Sequence, residues 1–163
     1  MASTSAQQAP GEARDPRVVT RISVITPMLN EVEHVESFLA DIAAQDFPGE
    51  RYGLVTTFDC LHDMGDPVGA GKHVKEALAK DGSWMIVEPF AHDNLKDNLN
   101  PVGCVFYHAS TFICTPASLS QEVGLGLGAQ AGESRLRQVA TEAGFRRFRR
   151  ATETPFNMIF EVR

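Results

Sequence analysis

Residues 83–90, SWMIVEPF, run apolar without alternation as far as Glu88. Continuous apolar character predicts a strand covered on both faces, as in a parallel sheet. That strand confines the chain to a layered α/β arrangement, because parallel neighbours reach it only through crossover segments. The preceding stretch, DPVGAGKHVKEALAKDG, supplies one. Asp66 is placed to cap a helix and Pro67 to occupy its first position, where a missing N–H costs nothing. Gly82 is expected to close it.

The same pattern extends both ways along the chain. RISVITPM (21–28) predicts a first strand ended by Pro27, and GLVTTF (53–58) a second. Between them, Asn30 and Glu33 make a capping-box-like pair. Val32, Val35, Phe38, Leu39 and Ile42 follow on one helical stripe. Downstream, CVFYHASTFICTPASL is an apolar patch long enough for a helix, and SLSQEVGLGLGAQAG reads as flexible and glycine-rich. ESRLRQVATEAGF predicts a helix with Leu136, Val139 and Ala140 inward and Gly144 at its end. FRRFRRA and FNMIFEVR predict a closing antiparallel pair, the arginines of the first forming a solvated, edge-protecting face. Residues 1–20 are small and polar and are expected to be a disordered tail, leaving 21–163 as a single α/β domain.

Bulk properties narrow the class. The 163 residues suffice for one core, and the 43% hydrophobic fraction is ordinary for a globular chain. A net charge of −6 argues against nucleic acid or an anionic membrane as partner. No run of 18 apolar residues exists to span a bilayer, and the N-terminus lacks the apolar core of a secretory signal. Three cysteines without a C-x-x-C pair imply reduced thiols and a cytoplasmic protein.

From about residue 44 onward, AQDFPGERYGLVTTFDCLHDMGDP, HVKEALAKDGSWMIVEPFA, DNLNPVG, SLSQEVGLGLGAQAGE and RLRQVATEAGF resemble the second half of a class I S-adenosylmethionine-dependent methyltransferase. The resemblance is colinear over more than two thirds of the chain. It implies an incomplete Rossmann-like three-layer sandwich, mostly parallel, with a C-terminal antiparallel pair. It also implies S-adenosylmethionine as cofactor and a small molecule as methyl acceptor. Asp46 and Phe47 would contact the adenine, and Phe58, Asp59, Cys60 and His62 would lie beside the cofactor. The resemblance carries no dimerising segment, so self-association stays open.

Residues 21–50, ISVITPMLNEVEHVESFLADIAAQDFPGE, resemble instead the opening of family 2 glycosyltransferases, carried by Thr26, Pro27, Leu29, Asn30 and Glu31. The chain thus divides into a glycosyltransferase-like head (21–45) and a methyltransferase-like remainder (46–163). The Asp-Asp-Gly-Ser strand end and Asp-x-Asp metal site of that second family do not follow. Nor does the glycine-rich cofactor turn of the first, because the turn after the first strand, TPMLNEVE, contains no glycine. Three readings follow: a methyltransferase-like protein, a truncated and inactive remnant or interaction module, and a nucleotide-sugar glycosyltransferase fragment.

Catalytic chemistry concentrates where the second strand ends. His62 reads first as a strand-end histidine bonded to backbone, and second as a general base, for which the ordinary near-neutral pKa of histidine is suited. Glu88 ends the next strand on the same edge, and either faces the pocket or caps the following loop. Asp59, Cys60, His62 and Asp63 lack metal-ligand spacing if alternate strand residues face opposite sides, so no metal is expected. GLGLG at 124–128 reads as a loop or lid rather than a phosphate cradle.

Overall fold

The structure, a computed structural model, describes Val24–Ile25 and residues 52–163. A mixed five-stranded sheet runs in the order β1-β2-β3-β5-β4. Its strands are β1 (Val24–Ile25), β2 (Tyr52–Phe58), β3 (Leu78–Pro89), β4 (Phe148–Glu153) and β5 (Asn157–Val162). The first three are parallel; β5 pairs antiparallel with β3 and with β4. This is a partial Rossmann-like sheet closed by an antiparallel hairpin. β1 sits beside β2, with Val24 opposite Thr56 and Ile25 opposite Thr57. The head strand therefore extends the sheet at the edge next to GLVTTF.

Helix α1 (Pro67–Ala77) carries the β2–β3 crossover, and the Asp66 carboxylate accepts from the Gly69 N–H as its cap. It stops five residues short of Gly82, correcting the predicted end. Leu78 is already extended, pairs with Tyr52, and the register then jumps so that Leu54 meets Ser83. Residues 79–82 bulge out, and a Cβ on Gly82 would lie 2.8 Å from the Tyr52 carbonyl oxygen. Glycine is needed there for close strand approach, not for a helix cap.

Trp84, Ile86 and Glu88 of β3 and Met158, Phe160 and Val162 of β5 point to one buried face. Helix α1 and the helix Gly132–Glu142 pack over it through Val74, Leu136, Val139 and Ala140. A Cβ on Gly71 would stand 2.8 Å from that of Ala143 and 3.2 Å from the Trp84 ring, so a bare backbone lets the helices close on the indole. The Trp84 Nε1–H donates to Thr57 Oγ1 at 3.1 Å, satisfying the one polar atom this ring buries. The other face of the sheet carries Leu54, Met85, Val87 and Ile159 half-buried and Phe58 49% exposed. SWMIVEPF therefore alternates in burial more than its composition predicts.

Between β3 and the last helix the chain builds α2 (Pro101–Ala109), a π-helical turn (Ser110–Cys114) and α3 (Thr115–Leu119) in one continuous rod. Asn100 caps it, accepting from the Gly103 N–H at 2.9 Å. The helix Gly132–Glu142 is α4; Gly144 beyond it has φ +95°, the left-handed stop its position predicts. No helix among the described residues is long and apolar enough to cross a membrane.

Candidate active site

The carboxyl ends of parallel strands are where open α/β sheets place their ligands. At that edge β2 ends in Phe58, and the chain turns on Asp59, whose φ of +43° is the only positive value of a non-glycine described residue. The turn is fixed from two sides. Asp59 N–H donates to the Val87 carbonyl at 2.8 Å, and Asp59 Oδ1 accepts from Asn157 Nδ2 at 2.8 Å. A short 3₁₀ turn, Leu61–Asp63, follows and drives Leu61 and His62 inward. The strand alternation that argued against grouping residues 59–63 therefore does not apply, because these residues are not in a strand.

Glu88 faces this turn from β3 and is 2% exposed. Its Oε1 accepts from the Leu61 N–H at 2.9 Å and its Oε2 lies 2.5 Å from His62 Nδ1. Glu88 thus turns inward onto the Leu61–Asp63 turn instead of capping the loop after β3. Burial disfavours charge on His62, but the hydrogen bond and charge of Glu88, with Asp63 and Asp59, outweigh it and lift the imidazole above its usual 6.5. Burial also raises Glu88, and the pull of His62 and the Leu61 N–H only partly offsets it. The pair thus holds its proton tightly.

With Nδ1 turned to Glu88, Nε2 points toward Asp63 Oδ1, 3.4 Å away. That oxygen is buried and makes no hydrogen bond. Cys114, from the π-helical turn, completes a group in which imidazole nitrogen, carboxylate oxygen and sulfur all lie within 4.8 Å. A metal would need the thiolate. Burial, then the Asp63 carboxylate, push the Cys114 thiol up to about 12; a bound cation would itself lower that value. Burial and Glu88 push Cys60 up to about 12 as well, which removes it as a nucleophile.

The glycine-rich stretch is not a free lid. Leu125 N–H donates to the Gly65 carbonyl, Gly128 N–H to the His62 carbonyl, and Gly126 N–H to Ser118 Oγ. Gly124, Gly126 and Gly128 all have positive φ, which lets the loop lie against residues 62–65. Gln121 closes the seam, its Oε1 accepting from Gly65 N–H and its Nε2 donating to the Asp63 carbonyl. The loop thus buttresses the turn bearing His62 from behind.

Of the residues singled out by sequence, His62 and Glu88 are joined directly, and Asp59 and Cys60 flank them. Phe58 leaves the sheet on the opposite face: it pairs with Val87, whose side chain alternates with that of Glu88. Asp46 and Phe47, like Thr26, Pro27, Leu29, Asn30 and Glu31, lie outside the described residues. Asn157, Gln121 and Cys114 carry no sequence signal, since each meets the turn from more than 50 residues away.

No protein-family model and no curated protein matches the chain. Solved structures do. Human N-acetylserotonin methyltransferase in complex with SAM aligns at 16% identity and a TM-score of 0.47, over 71% of this chain and 30% of that one. An O-methyltransferase family protein from Burkholderia thailandensis aligns at 17% and 0.49, over 74% and 32%. The methyltransferase CalH in complex with SAH aligns at 18% and 0.48, over 74% and 32%. The chain spans about a third of the length of these structures.

Proposed function

We propose that this chain is a methyltransferase-like domain that takes an S-adenosyl cofactor at the carboxyl ends of β2 and β3, where His62 lies buried, and acts on a small-molecule acceptor. The observation that carries this reading is the buried His62–Glu88 pair at that edge, in a chain whose residues 44–163 resemble this family in colinear order. When bound, the cofactor supplies the transferable methyl group.

The chain's own residues supply the rest. Glu88 accepts the Nδ1 proton of His62, which turns Nε2, the nitrogen that would take a proton, toward Asp63. Glu88 and Asp63 also stabilise the imidazolium that results. On the far face, the half-exposed Phe58 ring offers a stacking surface, which fits a nucleoside in part. The glycine turn that would complete the cradle is absent from TPMLNEVE, so weak cofactor binding and slow or absent turnover belong to the same reading.

Thermal-shift titration with S-adenosylhomocysteine, and separately with UDP, tests it, because a ligand that binds only the folded state raises the melting temperature. A rise with S-adenosylhomocysteine that disappears in Asp46→Ala supports the proposal. A rise with UDP alone would replace it with the glycosyltransferase reading, and silence with both would leave a non-catalytic remnant.

A further inference from the structure

The 101–119 rod, PVGCVFYHASTFICTPASL, contains no Asp, Glu, Lys or Arg. Its inner side buries Gly103, Ser110, Cys114, Ala117 and Ser118. Its outer side leaves Val105 64%, Phe112 76%, Ile113 56% and Leu119 58% exposed, with Leu99 and Phe156 also exposed. Monomers rarely show water so large an uncharged apolar surface. Near its start the rod is indented. Pro101, Val102, Val105, Phe106 and Phe156 line a hollow of about 230 Å³ without a polar side chain.

We propose that this outer face is the interface of a two-fold homodimer, in which Phe112 of each copy enters the Val102–Phe106–Phe156 hollow of the other. A two-fold axis perpendicular to the rod near His108 runs the two helices antiparallel, so each residue meets the one equally far on the other side. Phe112 lies four positions beyond that axis, and the centre of the hollow lies about as far before it, roughly 6 Å along the helix in each direction. Knob and hole on the same helix therefore satisfy one another twice, the mark of an isologous contact. The area suffices: six exposed apolar side chains at roughly 100 Å² each, with the helix surface between them, approach the ~800 Å² per partner of a standard interface.

Charge selects the same face. Two copies of a chain carrying −6 repel at long range, and this rod is a surface on which they can close without opposing like charges. The contact uses the outer side of the rod, whereas Cys114 on its inner side faces His62 and Asp63; it requires no cofactor.

Sedimentation velocity on the full chain across a hundredfold concentration range reads the association. The expected result is a monomer–dimer equilibrium that Phe112→Asp weakens roughly tenfold or more. At concentrations where both are monomeric, substituted and parent chains should unfold at similar temperatures, because Phe112 is exposed within a single copy. His108→Cys in a Cys104→Ser background should form a covalent dimer on mild oxidation, whereas Glu142→Cys in that background, on the exposed side of α4, should not. A monomer at every concentration, a dimer indifferent to Phe112→Asp, growth beyond two copies, or equal cross-linking at positions 108 and 142 would each overturn the proposal.

Discussion

His62 Nδ1 lies 2.5 Å from Glu88 Oε2, both side chains are buried, and 26 residues of sequence separate them. Glu88→Gln keeps the shape and removes the charge that holds the imidazole up. The His62 pKa should then fall, because burial, which disfavours the charged ring, is no longer outweighed. Proton NMR of the His62 ring across a pH series reads this directly. An unchanged titration would mean that Glu88 does not govern His62.

The same pair predicts how stability depends on pH. His62, Glu88 and Asp59 all have raised folded-state values, so the folded chain binds protons more tightly than the unfolded one. The contribution of His62 is complete below the unfolded histidine's value of about 6.5 and is lost as pH rises through the higher folded value. Glu88 and Asp59 act in the same direction at lower pH. Melting temperature should therefore decline from mildly acidic toward alkaline pH, and His62→Gln should flatten the alkaline part of that decline.

The three thiols should separate by reactivity. Cys104 is exposed, whereas Cys60 and Cys114 are buried with values pushed up to about 12. Thiolate is the reacting form, so at concentrations where the chain is monomeric a thiol reagent should modify one cysteine quickly and the other two only on unfolding. Fast reaction of Cys60 would contradict the closed turn.

Much of this architecture is legible in the residues. Asp66-Pro67 marks the start of α1, the Leu136/Val139/Ala140 spacing gives the inner face of α4, and the turn between FRRFRRA and FNMIFEVR gives the closing hairpin. Gly82 misleads because a glycine that permits close strand approach looks like one that ends a helix. The site is legible only in part. His62 and Glu88 can be read from strand ends, but their contact depends on a 3₁₀ turn that short-range pattern does not distinguish from a continuing strand. The glycine loop reads as mobile because its anchors, Gly65, Ser118 and the His62 carbonyl, come from elsewhere in the chain.

Asn157 should matter through Asp59. A left-handed non-glycine residue costs about 1–2 kcal/mol, and here the Asn157 amide helps to hold it. Asn157→Ala should lower stability by about 0.5–1.5 kcal/mol, the range of one hydrogen bond. In an Asp59→Gly background, where neither the strain nor the acceptor exists, the same change should have little effect. Denaturant unfolding of the four chains gives the coupling; purely additive effects would show that the two residues act separately.

The central claim, that the β2 and β3 ends form a cofactor-binding edge, is tested most directly by titrating S-adenosylhomocysteine into isotopically labelled protein and following backbone amide shifts. The account predicts changes concentrated at residues 58–63 and 88–90, with the remote strand β4 unmoved. Saturable changes confined to other surfaces, or none at ligand concentrations near the solubility limit, would contradict it.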